Sequence, residues 1–348
     1  MRVRDLQLQL RELGAKDCHE KRLLRSWLAA RPLDAEPRRG SSAKALPGAV
    51  RAALPGLEDK LAGLARVREE HPGADGSARL LVELADGQTV ESVLLLKDGL
   101  CISSQVGCAV GCVFCMTGQS GLNRQLGSAE MVAQVVLARR RRPVKKVVFM
   151  GMGEPAHNLD NVLEAIELLG IEGELGHKNL VLSTVGDRRV FERMPQGRVK
   201  PALALSLHTT RAELREQLLP RAPRLSPEEL VESAEAYARA TGYPVQYQWT
   251  LLDGINDGED ELERVVELLR GKYGVLNMIP YNANEGLPFR RPNWERSRAI
   301  ARWLCERGVL TKLRNSAGQD VDGGCGQLRA RSDKVQLRRK APQDVVAG

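Results

Sequence analysis

From about residue 100 onward the chain alternates short apolar runs with amphipathic stretches, and this alternation constrains its fold most. The apolar runs fall at 100–103, 146–150, 179–183, 202–207, 245–251 and 275–280. Helical patterns occupy 128–139, 159–169, 211–218 with 226–241, 259–269 and 293–307. Strands joined through helices run parallel, with right-handed crossovers. Six such units predict an α/β fold in the form of an incomplete (βα)6 barrel, since a closed barrel of this kind takes eight. Leu310-Thr-Lys-Leu-Arg314 predicts a last strand, leading into a Gly-rich loop that holds Cys325.

The flanks read differently. Residues 1–45 predict a small helical unit, with Leu6, Leu8, Leu10 and Leu13 in one helix and Leu23, Leu24, Trp27 and Leu28 in the next. Pro37-Arg-Arg-Gly-Ser-Ser42 then breaks the pattern and predicts a linker. Residues 46–97 predict a linker helix, with its pattern over 49–70, and a β-hairpin extension. The hairpin joins strands at 78–84 and 89–96 through Asp86-Gly87, a turn sequence that tolerates positive φ. The core then spans 98–328, and 329–348 forms a basic tail.

Composition bounds the class. Hydrophobic residues make up 43% and charged residues 28%, as in a globular protein. No apolar stretch approaches the roughly 20 residues of a membrane span. Charges at Arg2, Arg4 and Asp5 interrupt any leader-like segment, so a cytoplasmic protein is expected. Seven cysteines, an odd and clustered set, argue against a secreted disulfide scaffold. A net charge of +8 suggests a polyanionic partner, with Arg139-Arg-Arg-Arg142 plus Lys145-Lys146 and the tail as the dense runs. Solvated helix ends are the competing reading of those runs.

In parallel α/β folds the site gathers at the carboxyl ends of the strands. The first run is followed by Cys108, Cys112 and Cys115, spaced Cys-x3-Cys-x2-Cys with Phe114 before the third thiol. Three thiolates can hold an iron–sulfur cube and leave one iron open to an outside ligand. A zinc site would instead recruit a fourth ligand from Cys101, Cys325 or a histidine. The second run is followed by Gly151-Met-Gly-Glu-Pro-Ala156. Pro155, and the lack of an acidic residue ending the next strand, argue against a dinucleotide fingerprint there. A loop of close backbone approach, with Glu154 pairing a cationic amine, fits better. Ser183, Ser206, His208 and Asn282 also fall at strand ends, although each alone could serve as a turn or capping residue. Cys325 is flanked by glycine in an accessible loop, as a mobile redox or nucleophilic thiol would be, and Cys101 lies seven residues before the triplet. Cys305 falls within a helical apolar pattern and is expected in the core, and Cys18 is expected to be inert.

These motifs together resemble the RlmN/Cfr-type radical S-adenosylmethionine (SAM) methyltransferases, which methylate an adenine of 23S ribosomal RNA and, in one branch, of tRNA. The similarity runs from about Gly87 to Leu328. It rests on Val90-Glu-Ser-Val93, Cys101-Ile-Ser-Ser-Gln-Val-Gly-Cys108, Phe149-Met-Gly-Met-Gly-Glu-Pro155, Leu182-Ser-Thr184, Ser206-Leu-His208, Ile279-Pro-Tyr-Asn282 and Cys325-Gly-Gln327. The resemblance implies that Cys108, Cys112 and Cys115 ligate a 4Fe-4S cluster that chelates SAM. It implies a SAM pocket lined by Gly153, Glu154, Ser183, Ser206, Leu207, His208 and Asn282. Cys325 would be the thiol that becomes methylated, Cys101 its partner in a transient disulfide, and Glu91 the acid/base residue. Adenine C2 and C8 are not nucleophilic, so the family delivers carbon through a radical formed on the S-methyl group. An electron donor such as flavodoxin or ferredoxin, and an RNA substrate, would be the partners.

Overall fold

The computed structural model describes residues 1–35 and 45–330. The predicted linker 37–42, and the tail beyond Ala330 with its Arg331, Lys334 and Arg338-Arg-Lys340, lie outside the described residues.

Among the described residues twelve strands form in chain order: β1 (Ala65–Pro72), β2 (Ala78–Leu84), β3 (Thr89–Leu95), β4 (Gly99–Cys101), β5 (Gln105–Gly107), β6 (Leu122–Gln125), β7 (Lys146–Phe149), β8 (Leu180–Thr184), β9 (Ala202–Ser206), β10 (Val245–Leu251), β11 (Gly274–Pro280) and β12 (Thr311–Leu313). Ten of them make one open sheet in the order β1-β2-β3-β4-β7-β8-β9-β10-β11-β12. From β4 to β12 every pairing is parallel. These seven strands are the six predicted runs plus the last one. β1 to β4 pair antiparallel, and no β12–β1 pairing closes the ring. The hairpin thus extends the edge of the incomplete barrel.

The helices cover the outer face, as short apolar strands buried on both sides require. Ser226 caps the helix Pro227–Thr241 through Glu229, and Gly242, at φ 74°, ends it in the left-handed conformation. The N-terminal helices Val3–Glu12 and Asp17–Leu28 share the barrel's apolar core through Leu6, Leu10, Leu24 and Trp27. Arg2 to Glu164 (3.1 Å) and Arg25 to Glu172 (2.6 Å) tie them to the helix Leu159–Ile171 and its C-cap. Among the described residues no helix is long and apolar enough to cross a membrane.

Four expectations change. The helical pattern over 49–70 ends at Ala62, and 65–72 is strand β1, because its backbone pairs with the apolar β2. Leu8 does not join the buried stripe formed by Val3, Leu6 and Leu10 and is 55% exposed. Cys305 is exposed: the buried face of Trp294–Glu306 is Ser297, Ile300, Ala301 and Leu304, and residue 305 falls one step off it. In the run at 139–146 four of the six cations are engaged within the fold, while Arg140 is exposed. Arg139 donates to Leu28 O and Gly173 O (2.8 Å each), Arg141 pairs with Glu70 (2.8 Å), Arg142 donates to Gly76 O and Leu95 O, and Lys145 pairs with Asp98 (2.7 Å). Those cations staple the barrel to its hairpin and N-terminal unit. The strand β6, paired with β5 in a separate ribbon, had no signal in the sequence beyond its polar residues.

Candidate active site

The ribbon β5–β6 frames the loop that carries the three cysteines. Cys108 N donates to Gly121 O (2.9 Å), and Cys115 N donates to Cys112 O (3.1 Å). Gly107 has φ 80°, and a Cβ there would lie 1.9 Å from Gly121 O, so only glycine permits this turn. Burial pushes the Cys108 thiol up to about 12. Cys112 is driven well above the usual thiol range, by burial first and then by repulsion from Cys115 and Cys108. Cys115 is also raised by burial. The three thiols therefore feel one another, and a cation is needed to hold them as thiolates. Among the described residues no group of three or more His, Cys, Asp or Glu converges tightly enough for a single metal ion. A separate apolar cluster with Val110, Phe114, Val185, Leu218, Leu252 and Tyr281 packs around this loop.

The ends of β7 to β11 face that loop. Gly153 has φ 103°, and a Cβ there would meet Gln105 Cβ at 2.6 Å. Gln105 Oε1 accepts from Glu154 N (2.7 Å), fixing the turn. Glu154 accepts from Ala156 N and Val185 N (3.0 Å each), and burial pushes its carboxyl up to about 7. Ser183 is the penultimate residue of β8 and Ser206 the last of β9, both half-buried. Leu207 N and His208 N donate to Gln248 O (3.1 and 3.2 Å), which turns the chain over β10. His208 sits at φ 64°, its Nδ1 accepts from Thr250 N (3.0 Å), and its ring meets Phe114 edge-on at 5.1 Å. Burial, then the charge of Arg215, lower its pKa to about 3, so the ring is neutral with its proton on Nε2.

The loop after β12 folds back over this face. Met116 N donates to Gly326 O (2.8 Å), and Thr117 Oγ1 donates to Leu328 O (2.5 Å). Asn282 Nδ2 donates to Cys325 O (3.0 Å) and Ser316 Oγ (2.9 Å), while its Oδ1, deep in the fold, has no partner. The residue Cys325 is exposed, yet its thiol is raised by desolvation among neighbouring atoms and by the charge of Cys115, with a hydrogen bond to Ser316 opposing the shift. Cys101, buried at the end of β4, is pushed up to about 12 by burial and then by Cys325. The Cys325 thiol thus lies within electrostatic reach of both the cysteine loop and Cys101.

Glu91, on β3, is fully buried and ion-paired with Arg79. Its other oxygen accepts from Arg329 N (2.8 Å) and Ala330 N (3.0 Å). Burial raises its pKa, and Arg79 offsets part of that. Arg79 went unnoticed in the sequence. The hairpin count could have found it, because Leu81 opposes Glu91 and Arg79 lies on the same face one pair away. Arg215 and Ser316 also went unnoticed, since nothing local marks them. Every predicted cluster and pocket residue is brought to this one face, and Glu91 lies beside it under the C-terminal segment.

Comparison with known proteins agrees with this geometry. Residues 102–269 match the Radical SAM superfamily. A "Probable RNA methyltransferase" of Leptothrix cholodnii is 70% identical, over 97% of each chain. One of Pseudomonas aeruginosa is 66% identical, covering 98% of this chain and 99% of its own. The crystal structure of a radical SAM methyltransferase from Sphaerobacter thermophilus superposes with a TM-score of 0.80 at 31% identity, covering 95% of this chain and 98% of that one.

Proposed function

The chain belongs to the RlmN/Cfr-type family of radical SAM methyltransferases, and from that premise we propose that it methylates a ring carbon of adenine in RNA, C2 in preference to C8. The substrate would be 23S rRNA, tRNA or both, in the cytoplasm, with flavodoxin or ferredoxin as electron donor. The relatives named as probable RNA methyltransferases support RNA as the substrate class. One observation supports this chemistry: the loop that carries Cys325 returns over the strand ends, with Gly326 O accepting from Met116 N beside Cys115 (2.8 Å) and Cys325 O accepting from Asn282 Nδ2 (3.0 Å).

When bound, a 4Fe-4S cluster on Cys108, Cys112 and Cys115 with SAM supplies both a methyl group and the means to remove hydrogen from it. The chain's own groups do the rest. Glu154 pairs with the amine of the methyl donor, while Gly153 lets backbone approach it and Ser183, Ser206, Leu207, His208 and Asn282 line the pocket. Neutral His208 offers a hydrogen-bond donor without adding charge. Cys325 carries the methyl carbon to the base, its loop open enough to receive a nucleotide. Glu91 takes the ring proton, a role that its raised pKa suits and that requires the C-terminal segment to release it. Cys101 then attacks the Cys325 sulfur, so the sulfur–carbon bond breaks as a disulfide forms. With the two thiols held on one protein, that step would be effectively unimolecular.

The test is reconstituted protein incubated with labelled SAM, a reductant and RNA. Methyladenine and 5′-deoxyadenosine should form together, and mass spectrometry of the nucleosides assigns C2 or C8. Undiminished methylation by Cys325→Ala would refute the route, and SAM cleavage without methylated RNA would refute the substrate.

A further inference from the structure

We propose that Arg215 is the buried counter-cation of the iron–sulfur group held by Cys108, Cys112 and Cys115, and that it sets the potential at which that group accepts an electron. The inference rests on the cluster reading above.

Arg215 lies on the helix Ala212–Leu218, which follows the end of β9. It is only 4% exposed. Its Nη2 donates to Val185 O, just past β8, and to Ser206 O at 3.2 Å. Those two carbonyls aim the guanidinium into the ring of strand ends. Its Nε has no hydrogen-bond partner. The end of its helix is held to the cysteine loop next to Cys112, where Val113 N donates to Leu218 O (3.1 Å), and the groups of opposite charge that it senses are Cys112 and Glu154. Both oxygens of Glu154 already accept from backbone N–H groups, and no ion pair joins it to Arg215 among the described residues.

A guanidinium taken out of water without an anion is costly, and an orphaned buried donor beside it adds to that cost. An anion beside Cys112 answers both. Three thiolates around a 4Fe-4S core leave one net negative charge, and reduction makes it two. A fixed cation in a dry pocket favours the doubly charged state more, so the electron is accepted at a less negative potential. Arg221 is the internal contrast. Its guanidinium lies against Gly111 of the same loop, where a Cβ would approach Nη2 to 2.5 Å, but the residue is exposed and its charge is screened by solvent.

The experiment is an anaerobic redox titration of reconstituted wild type, Arg215→Lys, Arg215→Gln and Arg221→Gln, with iron and sulfide counted in each. Arg215→Gln should lower the reduced-to-oxidised ratio at fixed potential at least tenfold, a shift of about 59 mV for one electron. Arg215→Lys should keep most of the wild-type potential, and Arg221→Gln should change it little. A fully loaded Arg215→Gln protein with the wild-type potential overturns the proposal. Should the Gln variant fail to load iron, the Lys variant decides. A folded Lys variant with full iron and near-wild-type potential supports the charge role, and one without iron overturns it in favour of a purely structural role. Failure of the wild type itself to build a 4Fe-4S cluster would instead sink the functional reading.

Discussion

Replacing Arg79 by methionine isolates the buried pair that holds Glu91. The substitution roughly keeps the length of the side chain and removes its charge, leaving Glu91 with the N–H groups of Arg329 and Ala330 as its remaining donors. Breaking one partner of a buried ion pair costs about 3–5 kcal/mol, and the surviving donors place this case near 3 kcal/mol. That is on the order of a hundredfold in the folded-to-unfolded ratio. The loss should depend on pH. Burial already raises the folded pKa of Glu91 above its ordinary 4.5, and removing Arg79 raises it further. A carboxyl whose folded pKa is raised binds its proton more tightly in the folded state, so stability falls as pH rises from the unfolded to the folded value. The deficit of Arg79→Met against wild type should therefore be smaller at a pH near the ordinary carboxyl value than at a pH well above it. Urea unfolding followed by tryptophan fluorescence at both pH values measures it. An equal deficit at the two values would refute the reasoning, since lost packing has no reason to titrate.

Other outcomes follow from the same geometry. Gly153→Ala places a Cβ against Gln105 at a φ of 103°, costing on the order of 1–3 kcal/mol, and calorimetry should find SAM affinity reduced at least about tenfold. Glu154, pushed up to about 7, gains a proton as pH falls, so SAM binding should weaken below about pH 7. Glu154→Gln should bind weakly with a flat profile through that range. Arg141→Ala with Arg142→Ala removes clamps to Glu70, Gly76 and Leu95. Thermal unfolding should register a loss of about 1–2 kcal/mol, while the salt dependence of RNA binding stays unchanged. Cys112→Ser should abolish the iron absorbance of reconstituted protein without unfolding it, as circular dichroism would check.

What the sequence determined by itself is what period and spacing encode. The βα alternation announced the parallel strands, because a strand buried on both faces is a short apolar run and its crossover helix carries its own stripe. The Cys-x3-Cys-x2-Cys spacing announced a thiolate site, because ligands close in sequence need no fold to meet. Asp86-Gly87 announced its hairpin for the same local reason. The last residues of the strands could be placed on one face, because parallel strands all end at the same side.

Tertiary structure decided what sequence separation hides. Cys101 and Cys325 lie far apart in the chain, and only the return of the loop after β12, tied by Asn282 and Met116, carries Cys325 back over the strand ends. β1 reads as helix until its backbone finds β2. Arg139 and Arg142 look like part of an RNA surface until carbonyls of Leu28, Gly76 and Leu95 take them up. Arg215 looks like any helix arginine until β8 and β9 close around it. A charge is described by its type in the sequence and by its surroundings in the fold, and the energy of a charge depends on the surroundings.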